Sequence, residues 1–147
     1  MTELVLPQHT NSFGSIFGGV VMSWIDICGA IAAQRHSRKA CVTASVDALQ
    51  FVAPVFNGWT VNLKASVNYA GRTSMEVGVR VDAENPMTGE MFHTASAYLT
   101  FVALGSDKKP AIIPPVLPQT PEEIRRHKDA QTRRQARLDL RARTQKA

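Results

Sequence analysis

The sequence has few cysteines and no uncharged apolar run long enough to cross a membrane. Its two cysteines, Cys28 and Cys41, lie in apolar surroundings and show no metal-ligand spacing, so we expect reduced, buried side chains and no metal site. A membrane-spanning helix needs about 18–20 apolar residues, and Asp26 interrupts the nearest candidate. The N-terminus lacks the basic and apolar regions of a signal peptide. These absences predict a cytoplasmic protein that does not enter a membrane.

The sequence also lacks the common catalytic and nucleotide-binding motifs. It contains no GxSxG elbow, no Walker loop and no GxGxxG loop. Its four histidines are scattered over a loop, a helix end, a strand and the tail: His9, His36, His93 and His127. We therefore do not expect nucleophilic catalysis by a serine triad.

The net charge of +5 is confined to the C-terminal tail. Residues 1–120 hold eight basic and eight acidic residues, whereas residues 121–147 hold nine basic and four acidic ones. Basic helices attract phosphate backbones, which raises the possibility of nucleic-acid binding. Because the tail has no interleaved aromatic residues and contains four acids, we expect a solvated or intersubunit helix and no nucleic-acid partner.

The periodicity of apolar residues predicts one helix followed by a sheet. Residues 18–36 are apolar almost all round, which predicts a helix buried on most sides. Four segments then alternate with a period of two, with polar residues such as Asn68 and Glu76 on the second face: residues 42–52, 59–69, 75–82 and 92–104. Residues 3–6 could add a short strand before the loop at 8–15. The fold class is α+β, a curved antiparallel sheet around a central helix.

A proline-rich segment separates this domain from the tail. Prolines recur through residues 110–121, so this stretch is expected to be extended and outside the sheet. Thr120, Pro121 and Glu123 fit the N-cap, N1 and N3 positions of a helix that runs to about Arg143. We predict one domain at residues 1–118 and a basic helical tail at 119–147. Open sheet edges favour pairing with a second copy, at least as a dimer.

Asp26 is the only charged residue in the apolar stretch from Phe17 to Ala33. A carboxylate is rarely placed in a buried helix without a partner or a chemical role, because its desolvation costs several kcal/mol. It could be a structural carboxylate within the fold or at a subunit interface, or it could act on a substrate. Asp47, within a predicted strand, has the same ambiguity and is interpreted as a structural or supporting group.

The helix begins with Gly18 and Gly19, on the same side as Asp26 and about 10 Å from it at 1.5 Å per residue. A helix N-terminus exposes unpaired N–H groups, and glycines leave them unshielded, so a carbonyl oxygen can bind there. A carboxylate beside such an end suits the hydrolysis of an activated acyl group. The glycines could equally be a steric requirement of the helix start, and Asn11, in the preceding loop, could simply form a turn.

These residues together resemble the hotdog-fold acyl-CoA thioesterases, and in particular the bacterial YciA and vertebrate brain acyl-CoA hydrolase branch. The likeness starts with the Asn…Gly-Gly…Asp order of residues 11–33 and includes the Phe-x-x-Pro-Val-x-x-Gly turn that ends at Gly58. It continues through residues 42–51, 71–77 and 94–101, and the tail resembles an extension found in the hydrolase branch. Many relatives carry a histidine before the glycine pair, where this chain has Phe17.

The resemblance implies a hotdog fold and the hydrolysis of fatty acyl-CoA to a free acid and CoA. Asp26 would be the general base or nucleophile, and Asn11 would come from the neighbouring subunit. The amides of Gly18 and Gly19 would polarise the thioester carbonyl. The family's contacts with the pantetheine or phosphate part of CoA fall on a short run here: Arg72, Thr73 and Ser74.

The same resemblance implies a dimer assembled further into a trimer of dimers. It implies no cofactor apart from coenzyme A as part of substrate and product. Two alternatives share the fold. An acyl-CoA dehydratase would need a histidine paired with Asp26, and none accompanies it. A non-catalytic acyl-CoA-binding or regulatory protein would keep the fold without turnover, although Asn11 and Asp26 are both present.

Overall fold

The computed structural model describes residues 1–146, which form a five-stranded antiparallel sheet, a long central helix and a C-terminal helix. The elements follow one another as β1 (Thr2–Leu4), a 3-10 turn (Pro7–His9), α1 (Gly18–Ser37), β2 (Ala40–Phe51), β3 (Thr60–Ala70), β4 (Ser74–Glu84), β5 (Met91–Leu104) and α2 (Pro121–Lys146). The strand order is β1-β3-β4-β5-β2, which leaves β1 and β2 at the edges. This is the predicted α+β class, the curved sheet and long helix of the hotdog fold.

The predicted elements match the observed ones within a few residues. The first strand ends at Leu4 instead of residue 6, because Leu6 already precedes the 3-10 turn. Helix α1 extends to Ser37, where Arg38 adopts a left-handed conformation and ends it. Helix α2 continues to Lys146, beyond the predicted end at Arg143. No helix within residues 1–146 is both long and apolar enough to span a membrane.

The core lies between α1 and the inner face of the sheet. Alternate residues of β4 and β5 point inward, as their strand period predicts, and the buried set includes Val77, Val79, Val81, Ala95, Ala97, Leu99 and Phe101. Helix α1 contributes Val21, Trp24, Ile25 and Cys28. A Cβ on Gly29 would lie 3.1 Å from the Phe101 ring, so glycine permits the close approach of helix and sheet.

One side of α1 is exposed in the protomer, so the prediction of burial on most sides is wrong for a single copy. Met22, Ser23, Asp26, Ile27 and Ile31 are exposed along this side. Gly29 lies on the other side of the helix, buried against the sheet. The helix therefore presents Asp26 on an open, largely apolar surface.

Helix α2 packs against the outer face of the sheet. Its N-terminus forms the predicted capping box: the Glu123 amide donates to Thr120 Oγ1 at 3.1 Å, and the Thr120 amide donates to Glu123 Oε2 at 3.2 Å. Backbone N–H groups of Gln119 and Thr120 lower the pKa of the Glu123 carboxyl by stabilising its charged form. Ala130 of α2 is fully buried. The tail is thus docked on its own protomer, while the domain boundary at residue 118 stays a prediction.

Docking of α2 buries two polar residues of the sheet. Asn68 and Glu76 are 5% and 2% exposed, although their strand periods place them on the polar face. Arg133 of α2 donates to Glu76, with Nη2 at 2.7 Å from Oε1 and Nε at 3.1 Å from Oε2. The Arg133 guanidinium also lies 3.7 Å from the centre of the Tyr98 ring. The outer face is therefore a polar interface with α2, which the strand pattern alone could not show.

Candidate active site

Asp26 lies on the exposed side of α1 and is held by a threonine from the sheet. Thr43 of β2 donates its hydroxyl to Asp26 Oδ1 at 2.5 Å. A hydrogen bond to a carboxylate oxygen is charge-assisted and restricts the orientation of the carboxyl group. The second oxygen, Oδ2, has no hydrogen-bond partner within residues 1–146. Asp26 is therefore oriented and still accessible, as a base toward water or a substrate requires.

The N-terminus of α1 presents backbone N–H groups that no side chain caps. Phe17 occupies the N-cap position and makes no side-chain cap hydrogen bond. Its carbonyl accepts from the amides of Val20 and Val21, at 3.1 and 3.4 Å, whereas the amides of Gly18 and Gly19 have no partner within residues 1–146. A Cβ on Gly19 would meet nothing within 4 Å. Two open donors at the positive end of a helix suit the oxygen of a polarised carbonyl.

A cavity of about 370 Å³ lies beside this N-terminus. Gly18 borders it, and Phe51 at the end of β2 packs on that glycine, with a ring carbon 3.3 Å from the position of an added Cβ. The rest of the wall is mainly apolar and includes Ile16, Val21, Val52, Pro54 and Val55. The cavity is near the lower end of the roughly 300–1,000 Å³ typical of ligand pockets.

Asn11 folds back on its own loop within one protomer. Its Oδ1 accepts from the amides of Phe13 and Ser15, at 2.9 and 3.3 Å, and its Nδ2 donates to Ser15 Oγ at 3.0 Å. These contacts are those of a turn-forming asparagine, a role that the sequence analysis left open for Asn11. Asn11 and Asp26 are not hydrogen-bonded to each other within residues 1–146.

The predicted CoA-contact residues occupy the turn between β3 and β4. The carbonyls of Arg72 and Thr73 accept from the amides of Ile113 and Ala103, each at 3.0 Å, which fixes the turn against the end of β5 and the following segment. Ser74 begins β4, and the Arg72 side chain is exposed. The turn is ordered and accessible, but no hydrogen bond within residues 1–146 joins it to Asp26.

Two other predictions have clear outcomes. Asp47 accepts from Arg137 Nη1 at 2.8 Å, so it is the structural partner that the sequence analysis favoured. Cys28 is buried, and burial raises the pKa of its thiol, as expected of a reduced structural cysteine; Cys41 is only partly buried. No group of three or more histidine, cysteine, aspartate or glutamate residues within residues 1–146 is arranged to hold a metal ion.

Sequence reasoning missed Thr43 as a site residue. It lies 17 residues after Asp26 on a different element, and a threonine in a β-strand is ordinary. Only the pairing of α1 with the sheet brings its hydroxyl to the carboxylate. No pattern within the single sequence distinguishes it from other strand threonines.

The chain matches a family model, several named relatives and several solved structures. Residues 13–90 match the model described as "Thioesterase superfamily". The chain is 45% identical over 129 residues to the "uncharacterized acyl-CoA thioester hydrolase YkhA" of Bacillus subtilis, covering 88% of this chain and 75% of that protein. The solved structure of an apo hexameric acyl-CoA thioesterase matches with a TM-score of 0.92 and 43% identity over 97% of this chain and 91% of the other.

An acyl-CoA hydrolase from Staphylococcus aureus, solved in complex with butyryl-CoA, CoA and CoA disulfide, matches with a TM-score of 0.91 and 35% identity, covering 99% of this chain and 89% of the other. Three further structures of that hydrolase carry an asparagine, an aspartate or a threonine replaced by alanine. The replaced positions are 15 and 17 residues apart, in that order, as are Asn11, Asp26 and Thr43 here.

Proposed function

The chain belongs to the thioesterase superfamily, and we propose that it hydrolyses fatty acyl-CoA to a free acid and CoA in the cytoplasm. The observation that carries the proposal is one surface of α1, where an oriented, accessible carboxylate and an uncapped N-terminus lie on the same helix. Relatives named as acyl-CoA thioesterases or hydrolases support the substrate class.

In the proposed reaction, the thioester oxygen accepts hydrogen bonds from the amides of Gly18 and Gly19. Asp26 of the facing subunit removes a proton from a water molecule, whose oxygen attacks the carbonyl carbon, because on one helix the glycine amides and Asp26 lie about 10 Å apart, beyond the reach of one water. Collapse of the tetrahedral intermediate breaks the C–S bond, and Asp26 returns the proton to the CoA thiolate. If Asp26 attacks directly, a mixed anhydride forms first and water then hydrolyses it. Thr43 acts as a positioning residue in either case, because its hydroxyl holds the carboxyl group.

Asn11 is proposed to act from the neighbouring subunit. Strand β2 is an unpaired sheet edge, and the side of α1 beside it exposes an apolar surface that includes Phe17, Met22, Ile27 and Ile31. Pairing two copies through this surface would cover it and unite two sheet edges. The hexameric relative supports further assembly as a trimer of dimers. The exposed turn of Arg72, Thr73 and Ser74 would contact the pantetheine or phosphate part of CoA, the only cofactor-like group required.

The direct test of this function is CoA release from a series of acyl-CoAs of increasing chain length. We expect turnover of at least one member, quantified as free CoA by chromatography. The alternative is a non-catalytic acyl-CoA-binding or regulatory protein, which would bind the same ligands without releasing CoA. Binding in calorimetry combined with no release from any member would establish that alternative and contradict the enzyme.

A mixing experiment tests whether the site is shared between subunits. Asn11→Ala and Asp26→Ala are each expected to inactivate the protein, because each removes one half of every site. Refolding the two variants together at equal concentration should restore about a quarter of wild-type activity, since half of the dimers are mixed and each mixed dimer has one intact site out of two.

Each variant refolded alone is the matched control. If both residues of a site came from the same protomer, mixed dimers would contain no intact site and the mixture would stay inactive. Size-exclusion chromatography of differently tagged variants verifies that mixed oligomers have formed before activity is compared.

A further inference from the structure

A second cavity, of about 440 Å³, lies between the outer face of the sheet and helix α2. Its floor consists mainly of short side chains on three neighbouring strands: Ser66 of β3, Gly78 of β4 and Ser96 of β5. Because Gly78 has no side chain and the two serines are short, a space remains between the sheet and α2. The cavity is within the roughly 300–1,000 Å³ typical of small-molecule sites.

The walls of this cavity are strongly basic. Five basic residues and one acidic residue line it: Lys64, Arg80, Arg125, Arg126 and Arg133 against Asp129. The first two belong to the sheet and the other four to α2. The excess of positive charge therefore comes from both walls, and it favours a negatively charged ligand between them.

Two of these cations lie directly opposite each other on neighbouring strands. Lys64 of β3 pairs in register with Arg80 of β4, and like charges at such positions destabilise a sheet. Arg80 is partly neutralised by Asp82, whose Oδ2 accepts from Arg80 Nε at 3.0 Å. Lys64 forms no ion pair and no side-chain hydrogen bond within residues 1–146. An anion in the cavity would relieve the repulsion between these two side chains.

The wall formed by α2 can supply further donors to such an anion. Arg125 and Arg126 pair with carboxylates one turn away on α2, at 3.6 and 3.3 Å. Exposed pairs of this kind contribute little to stability, so a stronger acceptor can replace them. A guanidinium group binds a phosphate through two parallel N–H donors. The hydroxyl of Ser96, which is 3.2 Å from His93 Nε2, also borders the cavity.

We propose that this cavity binds a ligand that carries two or more linked phosphate groups, between Lys64 and Arg80 of the sheet and Arg125 and Arg126 of α2. Linked phosphates match the cations on both walls, and the cavity is larger than a single phosphate group needs. The site lies on the face of the sheet opposite α1, so the inference goes beyond the thioesterase reaction and does not depend on it. A ligand that contacts both walls would also tether α2 to the sheet.

The test is calorimetric titration of the intact protein with inorganic pyrophosphate at constant ionic strength. The wild type should bind one pyrophosphate per protomer and melt at a higher temperature in its presence. Lys64→Met should weaken binding by about tenfold or more, the effect of losing a hydrogen bond between charged groups. Lys64→Arg, which keeps the charge, should retain binding. The free Lys64→Met protein should melt no lower than the wild type, because the repulsion from Arg80 is gone.

ADP carries the same diphosphate and distinguishes two sources of it. Tighter binding of ADP than of pyrophosphate, weakened in the same way by Lys64→Met, would identify the ligand as a nucleotide. Equal or weaker binding of ADP would identify an inorganic diphosphate.

Lys128→Met is the matched control. Lys128 is also an exposed lysine, and it lies on α2 outside the lining of the cavity. This variant should bind pyrophosphate as the wild type does. Equal weakening by the Lys64 and Lys128 variants would show only a general attraction to the basic helix and would overturn the site. Absence of saturable pyrophosphate binding by the wild type would overturn it too, and neither result would affect the release of CoA.

Discussion

Asp26→Asn is expected to lower kcat by about 10²–10⁴-fold, the range found when a general base is removed. Asparagine has nearly the same shape and can still accept the hydrogen bond from Thr43, so the change isolates the charge and basicity of the carboxylate. Because Asp26 is exposed in the protomer, its neutralisation removes no buried ion pair. The melting temperature should therefore stay close to that of the wild type. Steady-state kinetics on any accepted acyl-CoA, with circular-dichroism melting, measures both quantities.

Glu90→Gln is the matched control for that experiment. Glu90 is an exposed carboxylate in the turn between β4 and β5, and its side chain makes no hydrogen bond within residues 1–146. Glu90→Gln should keep wild-type kinetics. That result would show that the loss of one surface negative charge does not explain the lower kcat of Asp26→Asn. A folded, oligomeric Asp26→Asn protein with kcat within threefold of the wild type would exclude Asp26 as base and as nucleophile.

The sequence predicted the fold well because its strands and helices carry strong periodic signals. The alternation that continues through Val77, Val79 and Val81 has no helical alternative, and the capping box at Thr120 and Glu123 marks a helix start locally. Asp26 stood out for a similar reason, as one charge in an apolar run. Such signals depend only on neighbouring residues, so they can be interpreted before any tertiary contact is known.

The features that sequence reasoning missed depend on contacts between distant elements. The β-bulge at Thr94 arises from the register of β5 against β4. Strand β5 contains no glycine or turn residue from which the bulge could be predicted. Burial of Glu76 requires α2, 57 residues further along the chain, to dock on the sheet. The exposed side of α1 carries apolar residues that a partner copy would cover in the proposed dimer. The sequence therefore shows a pattern typical of a buried helix, although this side is exposed in a single protomer.

Arg133→Met is expected to lower the free energy of unfolding by about 3–5 kcal/mol, the effect of breaking a buried ion pair by removing one partner. The Glu76 carboxylate is 1% exposed in its side chain and would lose its main partner. Arg137 Nη1, at 3.5 Å from Oε2, and Asn68 Nδ2, at 3.2 Å from Oε1, are weaker substitutes. Methionine also removes the cation that lies over the Tyr98 ring. Chemical denaturation at a fixed protein concentration measures the change.

Arg134→Met supplies the control, because Arg134 is the neighbouring arginine on α2 and is exposed. It should change the unfolding free energy by less than about 0.5 kcal/mol. Combining Arg133→Met with Glu76→Leu should recover part of the loss, since the double change leaves no unpaired buried charge but removes the acceptor of Asn68 Nδ2. Kinetics should also show that the two faces of the sheet act independently. Because α2 packs on the outer face and Asp26 lies on α1 at the inner face, folded Arg133→Met should keep the wild-type kcat. Equal stability of the Arg133 and Arg134 variants would show that the Glu76 ion pair does not hold α2 in place.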